Sequence, residues 1–196
     1  MKKSLILSAL LLNSINLYAV EAGKFLYGVD YSNGSGEVKE TTKTSDKTNS
    51  FDSTSTSLKI AYTLEDANRF VFSYEMMEKE FTDKSFKWYG KNKPELVFYN
   101  FDWQFTYPME SFSPYWTIGL ATITLKDSAS YLADGEDLEG VSFNYGAGLL
   151  YNLSSNIELE LAYNCKSIGW ENVGTTNTTE TVSKLDQIEI GVNFIY

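Results

Sequence analysis

The chain has 196 residues, 43% of them apolar and 15% aromatic, with a net charge of −10 and a pI of about 4.5. That acidity argues against a nucleic-acid binder, whose electrostatic footprint is basic. Cys165 is the single cysteine, which excludes an intramolecular disulfide, so an exported chain of this size must be held by a good core, a metal or the membrane.

Residues 1–19, MKKSLILSALLLNSINLYA, read as a secretory signal peptide: a basic head at Lys2 and Lys3, an apolar stretch from Leu5 to Leu12, and the small residue Ala19 at the cleavage point. The stretch is too short to anchor, since a spanning helix needs about 20 apolar residues. No cysteine follows the cleavage point, so a lipidated start is not expected. Residues 20–196 are then one mature domain by length.

From there apolar side chains recur at a period of two, the signal of a strand with two unlike faces. The first run is Phe25, Tyr27, Val29 and Tyr31; the second is Leu58, Ile60, Tyr62 and Leu64; the third is Phe70, Phe72, Tyr74 and Met76. The fourth carries Val97, Tyr99, Phe101, Trp103, Phe105 and Tyr107, and the fifth Trp116, Ile118 and Leu120. The sixth is Phe143, Tyr145, Ala147, Leu149 and Tyr151, the seventh Ile157, Leu159, Leu161 and Tyr163, and the last Ile188, Ile190, Val192, Phe194 and Tyr196. Each spans about 7–12 residues, matching tilted strands that cross a bilayer core in about 9–11.

The links alternate in length. Short ones surround Glu65 to Asn68, Pro108 to Pro114 and Ser154 to Asn156, whereas long polar ones run from about Asn33 to Thr56, Glu78 to Glu95, Lys126 to Gly140 and Ser167 to Lys184. Short turns at one end and long loops at the other are the habit of a transmembrane β-barrel. The first long link is nearly all Ser, Thr, Lys, Glu, Asp, Asn and Gly, a composition that predicts a mobile, hydrated loop.

Residue size decides which face points out. The apolar face carries rings and long aliphatics, while the other carries Gly28, Gly119, Gly146, Gly148 and Gly191 with Ala61, Ala121 and Ala162. The interior of an eight-stranded barrel is narrow and side chains just fill it, so the aromatic face is expected outside. Asp30, Lys59, Glu75, Asp102, Glu158, Glu160, Lys166 and Glu189 all fall on the small-residue face, away from lipid, where a charge at the midplane costs about 2–4 kcal/mol for Lys and less for a carboxylate. Glu158 and Glu160 share a face about 7 Å apart; Lys59 and Lys166 are the clearest partners, and acids outnumber bases. These charges read either as a satisfied polar core or as an ion path. The fold class is thus all-β, an eight-stranded antiparallel up-and-down transmembrane β-barrel.

The C-terminal EIGVNFIY, with Glu189, Gly191, Phe194 and Tyr196 at its defining positions, resembles the signal that the barrel-assembly machinery reads on outer-membrane barrels. With FNYGAGLLYNLSSNIELELAYN over residues 143–164, the mature chain resembles the small eight-stranded outer-membrane barrels of the OmpA transmembrane-domain and OmpX type. Larger OmpA relatives carry a periplasmic peptidoglycan-binding domain after the last strand, and that tethering role is not implied here. The resemblance implies a monomer in the outer membrane of a Gram-negative cell, in contact with membrane lipid and lipopolysaccharide.

The sequence contains no histidine, the general base of the outer-membrane barrels that are enzymes, and a hydroxyl nucleophile without a base is weak. No enzyme activity, cofactor or metal is expected. Asp134-Gly135-Glu136-Asp137 lacks a full cation-loop pattern and reads as a solvated acidic turn. Cys165 reads as a small apolar residue at the end of the seventh strand, and the lysines from Lys84 to Lys93 as a solvated loop. The expected function is a structural or surface-binding, adhesin-like role carried by the long extracellular loops, with a surface ligand as partner. The alternative is a narrow channel for small or hydrophobic solutes.

Overall fold

The computed structural model describes residues 23–42, 46–64, 67–84, 93–126, 137–171 and 178–196; the expected signal peptide and residues 134–136 of the expected acidic turn lie outside them. Eight strands follow one another: β1 Gly23–Thr42, β2 Asp46–Leu64, β3 Asn68–Phe81, β4 Glu95–Thr106, β5 Phe112–Leu125, β6 Leu138–Asn152, β7 Ile157–Trp170 and β8 Thr178–Ile195. Each pairs antiparallel with its neighbours, and β8 returns to β1 with Val29 opposite Val192 and Tyr27 opposite Phe194, closing the barrel. Closure matters physically: a barrel has no edge, so every strand's backbone polar groups can be satisfied within lipid.

The aromatic face is outside, as its residue sizes predict. Phe25, Tyr27, Val29 and Tyr31 on β1, Phe72 and Met76 on β3, Phe101 and Trp103 on β4, and Ile188, Ile190 and Phe194 on β8 are all exposed. Near the short-link end the rings gather into an aromatic girdle: Trp103 and Phe105 lie 4.0 Å apart, Phe105 stacks on Trp116 at 3.9 Å, and Phe112 meets Tyr151 at 4.9 Å. A continuous exposed apolar belt of this extent, capped by such a girdle, is the surface of a membrane-spanning barrel.

The strands are longer than the sequence predicts. β1 has 20 residues and β2 has 19, so most of the Asn33–Thr56 link expected to be a mobile loop is paired strand, with Asn33 opposite Thr54 and Lys39 opposite Thr48. The reason is an exchange of chemistry between the two faces. On β3 the outward residues are Phe70, Phe72, Tyr74 and Met76, then Glu78 and Glu80; the inward ones are Arg69, Val71, Ser73 and Glu75, then Met77, Lys79 and Phe81. The side-chain alternation never breaks, but above the belt the apolar residues move inside and the polar ones outside. A search for one apolar face therefore ends a strand where it only leaves the membrane.

The interior is layered accordingly. At the short-link end Leu26, Ala61 and Val71 pack with Ile195, and Tyr115 packs with Leu150 and Ala162. The middle is polar. Above the belt, Val38, Phe51, Met77, Phe81, Leu96, Phe98, Ile123 and Leu138 form part of a fully buried apolar core that fills the upper barrel. Lys79 is buried in this layer, its ammonium 4.3 Å from the Phe51 ring centre and 5.6 Å from that of Trp170.

Candidate functional site in the barrel lumen

The polar middle layer is built by inward positions from all eight strands. Of the charged residues expected there, Asp30, Lys59, Glu75, Glu158, Glu160 and Lys166 are buried inside, and Asp102 and Glu189 are half-buried on the same inner face. The structure resolves them into three ion-pair groups. Lys59 on β2 reaches Asp30 on β1 at 2.7 Å and Glu160 on β7. Lys166 on β7 crosses the lumen to Glu75 on β3, and its ammonium lies 4.4 Å from the Phe98 ring at the floor of the apolar layer. The third group was not legible as a pair in the sequence: Arg69 on β3 donates in a fork to Glu158 on β7, Nη1 to Oε1 at 2.9 Å and Nη2 to Oε2 at 3.1 Å. The signal for Arg69 was available, since it lies on the same strand face as Ser73 and Glu75.

Neutral side chains satisfy the remaining carboxylate positions. Asn193 donates to Glu158 at 2.8 Å and to Glu160 at 3.0 Å, and the Tyr115 hydroxyl donates to Glu160. Ser57 donates to Asp30 at 2.8 Å, Ser55 to Glu75 at 2.7 Å, and Asn100 to Glu75 at 3.2 Å. This density of charge-assisted bonds is what permits charges in a narrow lumen. Little space is left: a central chamber of about 50 Å³, lined by Asp30, Lys59, Glu75, Asp102, Glu160 and Glu189 among others. At the short-link end a vestibule of about 280 Å³ reaches the Arg69–Glu158 pair. Among the described residues no three of His, Cys, Asp and Glu come together in a way that could hold a metal ion.

The C-terminal positions divide between the two faces. Glu189 and Gly191 point inward, whereas Phe194 and Tyr196 point outward and are exposed. Gly191 has a packing reason of its own: a Cβ there would lie 2.1 Å from Asp30 Oδ1, so no larger residue fits while Asp30 keeps its place. The Tyr196 amide donates to the Phe25 carbonyl at 2.9 Å, and its ring meets Tyr27 edge-on at 5.5 Å, fastening the chain end onto β1.

Cys165 is not at a strand end. It sits within β7, half-buried on the outward face between Tyr145 of β6 and Asp186 of β8, because β7 continues past the apolar belt to Trp170. Of the expected lysine loop, Lys84 and Lys93 are described; both are exposed, and Lys93 forms an ion pair with Glu80 at 2.9 Å, which is worth little in water.

Solved structures share this architecture. Neisserial surface protein A matches with a TM-score of 0.53 at 15% identity, over 87% of this chain and 96% of that one. Outer membrane protein AlkL, solved in lipid bilayers, matches with a TM-score of 0.52 at 16% identity, over 91% of this chain and 92% of that one. The chain has the fold of the small outer-membrane β-barrels. No protein-family model and no curated protein sequence matches it. As an outer-membrane-type barrel it places both described ends of the chain, Gly23 and Tyr196, at the short-link end, and raises its long hairpins at the other.

Proposed function

We propose that this chain is a non-enzymatic protein of the bacterial outer membrane in which the barrel is a sealed anchor and the outward face of the raised strands is the working surface, in a structural or adhesin-like role. The observation that carries this reading is the continuation of paired strands past the apolar belt around a filled interior. Asn33, Ser35, Glu37 and Lys39 of β1 and Asp52 and Thr54 of β2 form an exposed polar wall, backed by the buried Val38, Phe51 and Leu185. A binding surface of this kind is rigid, so a partner pays little ordering entropy on its account. A chain that lacks histidine throughout, and whose inner carboxylates are mostly engaged in ion pairs, supports the non-enzymatic part. Lipid and lipopolysaccharide surround the belt, the assembly machinery reads the C-terminal strand, and the monomer is the working unit.

Replacing residues 39–48 with a two-residue Asn-Gly turn tests this directly. Val38 stays opposite Asn49 and Phe51 is retained, so the apolar layer keeps its members, and Asn-Gly suits a tight hairpin. The expected outcome is normal heat-modifiable migration on a gel, with reduced attachment of intact cells to surfaces or raised sensitivity of the envelope to detergent. Of the exposed wall this variant removes only Lys39, so a second variant, Glu37→Lys with Asp52→Lys, alters the wall with the hairpin kept. If neither readout changes in either correctly folded variant, the raised wall is not the working surface. Protein-dependent uptake of small or hydrophobic solutes, or a stable conductance in a planar bilayer, would favour the channel instead. The apolar layer argues against it, since Val38, Phe98, Leu138 and Ile168 are 0% exposed.

A further inference from the structure

The central chamber is out of charge balance. Five carboxylates line it, from Asp30, Glu75, Asp102, Glu160 and Glu189, against two ammonium groups, those of Lys59 and Lys166. Lys59 is shared by Asp30 and Glu160, and Lys166 serves Glu75. Asp102 and Glu189 form no ion pair among the described residues and feel Lys166 and Lys59 respectively only at longer range. Each accepts one long amide hydrogen bond, from Asn144 Nδ2 at 3.3 Å and from Asn164 Nδ2 at 3.4 Å respectively. Carboxylates inside a protein that lack an ion-pair partner are strongly disfavoured in the charged form, so a cation or a proton must neutralise them.

A second, independent feature points into the same space. Gln104 lines the chamber and is 6% exposed. Its amide nitrogen faces Glu160 at 3.4 Å, which leaves its carbonyl oxygen, Oε1, buried with no hydrogen-bond partner. A buried acceptor without a donor is a standing cost that a cation or a water removes. The chamber of about 50 Å³ has room for one small ion and a few waters, at about 10–15 Å³ for each water.

We infer that the chamber binds a sodium-like alkali cation, partly hydrated, through the oxygens of Asp102, Glu189 and Gln104. All-oxygen donors suit a hard cation. A divalent ion is the poorer fit: it requires several converging carboxylates, and among the described residues no three acidic groups converge in this way. The cation supplies countercharge to a lumen that the chain's own bases leave acidic.

The test uses the mature protein folded in phosphatidylcholine vesicles, in sodium chloride or in N-methylglucamine chloride at equal ionic strength. The larger organic cation cannot occupy the chamber. Unfolding in urea is expected to be slower in sodium, by about tenfold where free sodium stands tenfold above its dissociation constant, and the ²³Na relaxation of the folded protein should show bound sodium. The double variant Asp102→Asn, Glu189→Gln should unfold at one rate in both salts. Gln104→Leu keeps every charge and removes the unpartnered oxygen, and it should move half-saturation several-fold towards higher sodium. Equal wild-type rates in the two salts overturn the inference and assign the neutralising charge to protons. A double variant that keeps the sodium response, or an unchanged half-saturation in Gln104→Leu, also overturns it, because the ion then sits elsewhere.

Discussion

Replacing Arg69 with methionine isolates the energetics of the lower lumen. Arg69 makes two charge-assisted bonds to Glu158, at 2.9 and 3.1 Å, and a longer one from Nε to Thr63 at 3.3 Å. The side chains of Arg69 and Glu158 are 8% and 5% exposed. With Arg69 gone, Glu158 retains the Asn193 bond at 2.8 Å but loses its countercharge. Breaking one side of a buried pair costs about 3–5 kcal/mol. The vestibule of about 280 Å³ beneath the pair lets water reach the stranded carboxylate, which places the expected loss near the lower end, about 3 kcal/mol. The double variant Arg69→Met, Glu158→Leu removes both charges and fills the space with apolar atoms; it should recover most of the loss, to within about 1 kcal/mol of wild type or better. The assay is urea unfolding in vesicles, followed by tryptophan fluorescence and by the gel shift between folded and unfolded barrel, with the coupling energy taken from the full double-mutant cycle. A single-variant loss under about 1 kcal/mol would mean that the pair is effectively solvated. The lower lumen would then be open to water rather than closed by this pair.

Three other outcomes concern the layers above and beside it. Phe98→Ala removes a ring that is 0% exposed at the base of the upper apolar core, and the expected loss is about 3–5 kcal/mol in the same urea assay; a loss under about 1 kcal/mol would show that the upper barrel is hollow. Deleting Tyr196, or making Phe194→Ala, should lower outer-membrane yield in cells while leaving refolding of purified protein into vesicles intact. Gly191→Val should impair both, because its side chain collides with Asp30 Oδ1. Normal cellular yield after both C-terminal changes would remove the assembly-signal reading.

The sequence places far more of this site than it pairs. Strand alternation assigns Asp30, Lys59, Glu75, Asp102, Glu158, Glu160, Lys166 and Glu189 to one face, and the small size of Gly28, Gly119 and Gly191 says that this face is inside. Both follow from the period of two and from the volume of a narrow lumen. The hairpin above β1 and β2 was hidden for a different reason. Its outward side chains are polar, and its inward ones include the glycines Gly34 and Gly36 before Val38, so its residues carry a loop's composition while their backbones are paired.

What the sequence determined by itself is therefore what one strand can encode: which residues alternate, which face is bulky, how many such strands exist, and that the chain closes on an aromatic end. What the tertiary structure decided is who meets whom across the lumen. Lys59 and Glu160 are 101 residues apart, Lys166 and Glu75 are 91, and Arg69 and Glu158 are 89. Their meeting depends on the stagger of all eight strands around the closed ladder. Alternation fixes the side of the wall on which a residue stands, but its height is set by the register of every neighbour, and no single strand carries that information.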